Sequence, residues 1–202
     1  MEGMAKVLPV RLYGDPVLRR KARPVQDFSD LEELAENMVE TMFEYGGVGL
    51  AAPQVGLSRR LFVAAEYALE EEEAEADEEE RPRSVLKNLY VMVNPRITHR
   101  EGAQVGTEGC LSIPGVYSDD VPRDLQIRVE YQDVTGQPHT LEAEGYLARV
   151  IQHELDHLEG VLFLDRIPAE LRRGFLEEHR AELVEMQRKA KAFLRELQAE
   201  RG

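Results

Sequence analysis

Two histidines four residues apart, with a glutamate beside the first, form the segment best suited to do chemistry. The segment spans His153–His157 and reads HELDH. On a helix, residues four apart lie on one face about one turn from each other, so both imidazoles can hold one metal ion. Glu154 can then reach a water molecule at that ion without being a ligand, as metal-assisted hydrolysis requires. The alternative is a solvated helix with chance histidines, and the pattern alone favours metal binding.

A third ligand must come from elsewhere in the chain, because a catalytic ion of this type has three protein ligands and one open position. The only histidine after His157 is His179, which lies in a long predicted helix with no second motif beside it. Cys110, the one cysteine, is the better candidate, because Gly109 beside it lets the backbone approach an ion closely. One thiolate and two imidazoles suit Zn(II), Fe(II), Co(II) or Ni(II) rather than Mg(II) or Ca(II). A buried structural thiol is the alternative for this cysteine.

The composition favours a folded, soluble protein over a nucleic-acid-binding or membrane protein. The chain has 202 residues, enough for one domain with a core, and a net charge of -14. Such a chain lacks the clustered Lys and Arg that bind phosphates. No apolar run approaches the roughly 20 residues of a membrane span, and the first residues lack the features of a secretory signal. We therefore expect a cytoplasmic protein, and a lone cysteine suits that reducing compartment.

The periodicity of apolar residues predicts the elements that position these side chains. Helical spacing runs over 31–42, with Ser29 and Glu32 at capping-box spacing where it begins. A second amphipathic helix, over 146–158, carries the HELDH segment and is followed by Gly160 as its C′ residue. Alternating or β-rich segments predict strands at Leu61–Ala65, Leu89–Val93, Leu125–Tyr131 and Thr140–Glu144.

These elements predict one α+β domain over 1–202, with antiparallel or mixed β-sheets around the central HExxH helix. An N-terminal helix precedes that centre, and a long C-terminal helix over 168–200 follows it, either as a coiled coil or packed on the core. The segment 66–84 is so rich in carboxylates that it cannot bury enough surface to order itself. We therefore predict an acidic insertion loop there, between two strands.

Three segments, taken together, resemble the peptide deformylases, and they occur in the order found in that family. GVGLAAPQ at 47–54 is similar to the first family motif, EGCLS at 108–112 to the second, and QHELDH at 152–157 to the third. The similarity extends over most of 8–164. Enzymes of this family remove the formyl group from the N-terminal formylmethionine of new bacterial and organellar chains. The resemblance therefore implies the same reaction here.

The resemblance also implies roles for particular residues, each by its position in a motif. The implied metal ligands are Cys110, His153 and His157. Glu154 is implied as the general acid/base, and Gln54 and the Leu111 backbone N–H as the donors that stabilise the oxyanion. Val48 and Gly49 match the positions whose backbone pairs with the substrate, and the methionine side chain would occupy an apolar pocket beside the metal.

The cofactor that the resemblance implies is one divalent ion, Fe(II) in the cell, with Zn(II), Ni(II) or Co(II) as alternatives. The implied partners are N-formylmethionyl peptides of nascent chains and, as in some family members, the ribosome, contacted through the C-terminal helix. We expect no membrane contact and no sequence-specific nucleic-acid binding. We also expect a monomer, because the heptad pattern of the last helix is too short and too imperfect to argue for a dimer.

Two other functions stay open on the residues alone. A metallopeptidase of the HExxH type would need a third ligand downstream of His157, and a structural metal module would need a fourth protein ligand to close the site. Arg123 and Asp156 are also open, either as an ion pair that orients the metal-binding helix or as ordinary surface charge.

Overall fold

The computed structural model describes residues 4–68 and 86–202 as an α+β fold, which confirms the predicted class. A five-stranded antiparallel sheet has the order β1-β2-β3-β6-β7, and β4 pairs with β5 in a separate antiparallel hairpin. The strands are β1 (Gly49–Ala51), β2 (Leu61–Tyr67), β3 (Leu86–Glu101), β4 (Gln104–Cys110), β5 (Ile113–Arg123), β6 (Gln126–Gln132) and β7 (Pro138–Glu144). The helices are α1 (Leu31–Glu44), α2 (Gly145–Leu158), α3 (Phe163–Arg166), α4 (Ala169–Glu178) and α5 (Arg180–Glu200), with single 3-10 turns at Pro16–Arg19 and Ala52–Val55.

Helix α2 packs between the sheet and the hairpin, and its two faces differ in chemistry. The face toward the sheet is apolar, and its buried residues share one core with Phe62, Met92 and Val129 of the strands. The face toward the hairpin is polar, and the Gln152 side chain bonds both the backbone N–H and the carbonyl oxygen of Asp124. Hydrophobic burial therefore holds the helix on one side, and directional hydrogen bonds set its position on the other.

The hairpin β4–β5 has no counterpart among the predicted strands. Its second strand alternates only in part: Ile113, Val116 and Val121 are buried in a core shared with Phe163 and Leu183, but two consecutive exposed residues follow Ile113 and two more follow Ser118. This interrupted pattern, together with the prolines and the glycine within the strand, explains why the sequence did not predict it. Two register shifts, on either side of Glu108 in β4, make the pairing irregular just before Cys110.

Helix α1 closes a third core against β1 and β2, and it ends at Glu44, two residues beyond the predicted helical spacing. Its beginning differs from the prediction. The N-cap is Asp30, without a side-chain capping bond, and the Ser29 backbone N–H is bonded to Asp27 Oδ1 instead. The capping box expected from Ser29 is therefore wrong, because the chain turns through Asp27 before the helix starts.

The C-terminal segment predicted as one helix over 168–200 contains two helices, α4 and α5, which meet at His179. Phe175 on α4 is partly buried and packs against the core that contains Leu183 and Met186 of α5. The apolar positions of α5 therefore serve core packing in this chain.

The predicted acidic insertion, 66–84, lies outside the described residues except for 66–68, and Glu66 and Tyr67 form the end of β2. Within the described ranges, no helix is long and apolar enough to cross a membrane.

Helix α2 ends in a Schellman motif that ties the HELDH segment to the N-terminal chain. The Gly160 and Val161 backbone N–H groups bond the carbonyl oxygens of His157 and Asp156. Gly160 has φ 74°, and a Cβ at this position would lie 2.5 Å from the Arg19 carbonyl oxygen. Glycine is thus required by both the backbone angle and the contact.

We expect Gly160→Ala to lower the free energy of unfolding by clearly more than the roughly 1 to 2 kcal/mol that the left-handed conformation alone costs. Thermal unfolding of the metal-free protein would measure it, with about 2 to 4 °C of Tm per kcal/mol at this chain length. Gly136→Ala is the matched control, because Gly136 has φ 89° but no atom within 4 Å of the added Cβ. Equal losses in the two variants would contradict the contact with Arg19.

Candidate metal centre

Three side chains that could bind one metal ion converge between the hairpin and helix α2. Cys110 is the last residue of β4, and His153 and His157 are one turn apart on α2. The sulfur and one nitrogen of each imidazole all lie within 4.8 Å of one another, and Cys110 Sγ is 3.3 Å from His157 Nε2. The structure thus brings together the three ligands predicted from the sequence.

The spacing of these atoms fits a tetrahedral ion. Sulfur at about 2.3 Å and nitrogen at about 2.0 Å from a tetrahedral metal lie roughly 3.5 Å apart, close to the observed separation of Cys110 and His157. Within 4–68 and 86–202, no fourth Cys, His, Asp or Glu joins the group. The donor set therefore suits an ion with an open position, as catalytic sites have, and not a closed structural site.

Glu108 is the functional residue that sequence reasoning missed. Its Oε1 accepts a hydrogen bond from His153 Nδ1 at 2.7 Å, which leaves His153 Nε2 for an ion. The carboxylate is buried, which would raise its pKa. Hydrogen bonds from Arg123 and His153 outweigh that effect and lower the pKa of Glu108 to about 2. The one signal for it in the sequence was its place two residues before Cys110, in the second motif.

Arg123 and Asp156 form a buried ion pair at 2.5 Å. The Arg123 guanidinium also makes two hydrogen bonds with Glu108, at 2.8 Å each. Asp156 in turn accepts two hydrogen bonds from Arg166, at 3.0 and 2.8 Å. The pair is therefore not ordinary surface charge, since it is buried and connects the hairpin to the helix that carries both histidines.

Glu154 is buried against the edge of the sheet, with 2% of its surface exposed. A Cβ added to Gly49 would lie 2.9 Å from Glu154 Cδ, so only glycine leaves room for this carboxyl group. Burial raises the pKa of Glu154 to about 7. Among the described residues, its Oε2 has no hydrogen-bond partner. A buried carboxyl group with an unbonded oxygen and that pKa can both take and return a proton near neutral pH.

The pKa values of the two histidines are shifted in opposite directions. Burial lowers the pKa of His153, but hydrogen bonds to Cys110 and Glu108 outweigh it and leave the pKa well above its ordinary value. Burial and the charge of His153 hold the pKa of His157 well below that value. Because a metal ligand must be a neutral imidazole, a cation at these rings would compete with protons for their nitrogens.

Gln54 lies beside the cysteine. It is 1% exposed, and its Oε1 accepts a bond from the Ala51 backbone N–H at 2.9 Å. Its Nε2 is therefore directed toward Cys110 Sγ at 3.4 Å and Ser112 Oγ at 3.1 Å. Leu111 follows Cys110 in the turn between β4 and β5, and its side chain packs on Gly47.

A cleft of about 730 Å³ opens over this cluster. The segment 46–49 forms one side, with Val48 half-buried and Gly49 on the edge strand β1. The hairpin and the exposed face of α2 form the other side, and Cys110, His153 and Glu154 line the cleft itself. All eight residues predicted for the site therefore lie at or next to one concavity.

Comparisons with known proteins place the chain in one protein family. The family model for polypeptide deformylase matches residues 7–173. A peptide deformylase of Thermus thermophilus is 63% identical over 192 residues, which cover 95% of this chain and 98% of that protein. One from Christiangramia forsetii is 47% identical over 166 residues, covering 80% of this chain and 82% of the relative.

Solved structures give the same result. The crystal structure of a peptide deformylase from Thermus thermophilus superposes with a TM-score of 0.81 at 58% identity, covering 91% of this chain and 99% of that one. That of Plasmodium falciparum has a TM-score of 0.75 at 34% identity, with 91% and 97% covered. The chain therefore belongs to the polypeptide deformylase family, whose members remove the N-terminal formyl group from nascent peptides.

Proposed function

We propose that the cleft hydrolyses the formamide bond at the N-terminus of formylmethionyl peptides, with Cys110, His153 and His157 holding one divalent ion. The observation that carries the proposal is the convergence of these three ligand atoms beside the buried carboxyl group of Glu154. Three ligands and an adjacent proton acceptor are what metal-assisted hydrolysis of an amide needs. Family membership supplies the substrate class.

Glu154 is proposed as the general acid/base. The ion, when bound, supplies Lewis-acid activation of water and of the formyl oxygen. Glu154 accepts the proton of the attacking water and then donates it to the leaving amine, so formate and a free N-terminus are released. Its raised pKa suits both steps, because a group titrating near the working pH is an effective donor and acceptor.

Gln54 and the Leu111 backbone N–H are proposed to stabilise the oxyanion. The Gln54 amide is held at its oxygen by the Ala51 N–H, which fixes the direction of its two N–H bonds. Both donors lie next to Cys110, on the ligand side of the cleft. Donors fixed in advance cost no reorganisation during the reaction, and each contributes about 2.7 to 4 kcal/mol in comparable sites.

Val48 and Gly49 are proposed to bind the substrate backbone. Strand β1 is at the edge of the five-stranded sheet, with β2 on one side only. An extended peptide can add to such an edge by main-chain hydrogen bonds, with its alternate side chains in pockets. The methionine side chain would then enter the cleft beside His153.

We infer Fe(II) as the ion used in the cell, with Zn(II), Ni(II) and Co(II) as ions that the same thiolate and imidazoles accept. We also infer a cytoplasmic monomer that works on nascent chains. Contact with the ribosome would use α5, whose basic residues include Arg188, Lys189, Lys191 and Arg195.

The test of this function is formate release from formyl-Met-Ala-Ser by protein purified without air, with and without a chelator. Formate should appear only from the formylated peptide and should stop when the chelator is present. Unformylated and N-acetylated peptides are the controls. Cleavage of internal bonds in an unformylated peptide would point to a metallopeptidase instead.

Replacing Glu154 by Gln should lower kcat by about 10² to 10⁴ while metal content stays at one ion per chain, because the amide keeps the shape but cannot accept a proton. Steady-state kinetics and metal analysis of the same samples give the measurement. Glu142→Gln is the control, since Glu142 is an exposed carboxylate paired with Arg128 on the sheet. Full activity in Glu154→Gln would remove this residue from the chemistry.

Replacing Cys110 by Ser should weaken binding of Co(II), because a neutral hydroxyl is a much poorer ligand for this ion than a thiolate. The thiolate-to-cobalt absorption band of the wild-type protein should also disappear. Ser112→Ala, which removes a neighbouring hydroxyl in the same turn, should keep that band. An unchanged band in Cys110→Ser would show that the sulfur is not a ligand.

A further inference from the structure

Arg149 is a buried charged residue to which the proposed mechanism gives no role. It lies on α2, four residues before His153, and only 4% of its surface is exposed. Its Nη1 donates to Glu108 Oε2 at 2.6 Å and to the Val121 carbonyl oxygen at 2.9 Å. The guanidinium also packs over Gly106, where a Cβ would lie 3.0 Å from Nη2. Such close packing fixes the position of this side chain.

The hydrogen bonds of Glu108 divide evenly between its two oxygens. Arg123 bonds both, through Nη2 to Oε1 and through Nε to Oε2. Oε1 also accepts from His153, and Oε2 also accepts from Arg149. Each oxygen therefore has one bond from Arg123 and one bond from α2.

Helix α2 therefore holds the Glu108 carboxylate at both of its oxygens. Arg149 and His153 are on the same face of the helix, one turn apart, and they hold opposite oxygens of Glu108. With Arg123 as its only partner, the Glu108 carboxylate would be bonded only within its own hairpin. The Arg123 guanidinium also bonds Asp156, so it does not serve Glu108 alone. Arg149 also bonds Val121 on β5, so one guanidinium connects the helix to both strands of the hairpin.

We infer that Arg149 is a positioning residue for metal binding, which acts through Glu108 on the orientation of the His153 imidazole. The inference rests on the metal site proposed above. Fixing Oε2 directs Oε1 at His153 Nδ1, and that bond keeps Nε2 directed at the ion. Partners of this kind, one bond removed from the metal, typically change metal affinity or activity by roughly 10- to 100-fold.

The experiment is a titration of metal-free protein with Co(II), followed by the thiolate-to-cobalt absorption, without substrate. Arg149→Met should raise the Kd at least about tenfold, since it keeps length and packing but cannot donate to Glu108. Arg149→Lys keeps the charge but loses the paired N–H donors of the guanidinium. Its Kd for Co(II) should therefore lie between those of the wild type and Arg149→Met. Arg96→Met, which removes an exposed partner of Glu130 on the sheet, should bind as the wild type does.

A double-variant cycle separates this role from a general effect on folding. Glu108→Gln should weaken Co(II) binding, and adding Arg149→Met should weaken it less than twofold further, because the intermediary is already lost. Multiplied effects of the two changes would overturn the inference, as would a Kd for Arg149→Met within twofold of the wild type. If Arg149→Met does not fold, a wild-type Kd in Arg149→Lys overturns it. A wild-type protein without the cobalt band would instead refute the proposed metal site itself.

Discussion

The buried carboxylate of Glu108 joins the two parts of the site, the hairpin β4–β5 and helix α2. It comes from the hairpin, and it receives hydrogen bonds from Arg123 of the same hairpin and from Arg149 and His153 of helix α2. Removing one partner from a buried ion pair leaves an uncompensated charge, at a cost of about 3 to 5 kcal/mol. The hydrogen bonds of this one carboxylate therefore depend at once on the register of β4, the docking of α2 and the orientation of the His153 ring.

Helix α2 explains why an α+β fold suits this chemistry. Its apolar face is buried on the sheet, which supplies stability without fixing the helix precisely, because hydrophobic contact is not directional. Its other face meets the hairpin through hydrogen bonds of Arg149 and Asp156, whose geometry permits few positions. The helix thus delivers both histidines and Glu154 to one place with the accuracy that a metal centre needs.

The part of the site that lies on α2 could be predicted, because helical periodicity and the HELDH spacing depend only on neighbours along the chain. The hairpin could not, since two register shifts interrupt its pairing and the buried residues of β5 do not alternate regularly. Glu108 and Arg149 were missed for a related reason: their partners lie 15 to 45 residues away in the chain, and no local pattern predicts such a pairing. The expected cap at Ser29 was wrong because Asp27 competes for the same turn.

The proposed ligands come from two elements that are far apart in the chain, with Cys110 and His157 separated by 47 residues. An ion held by both would act as a removable cross-link between β4 and α2. Closing the long loop between them costs conformational entropy, and without the ion the protein's own contacts must offset that cost. The ligand set is incomplete until α2 has been synthesised and has docked. Metal occupancy would thus report that α2 has docked on the hairpin, and loss of the ion would first loosen the contact between hairpin and helix.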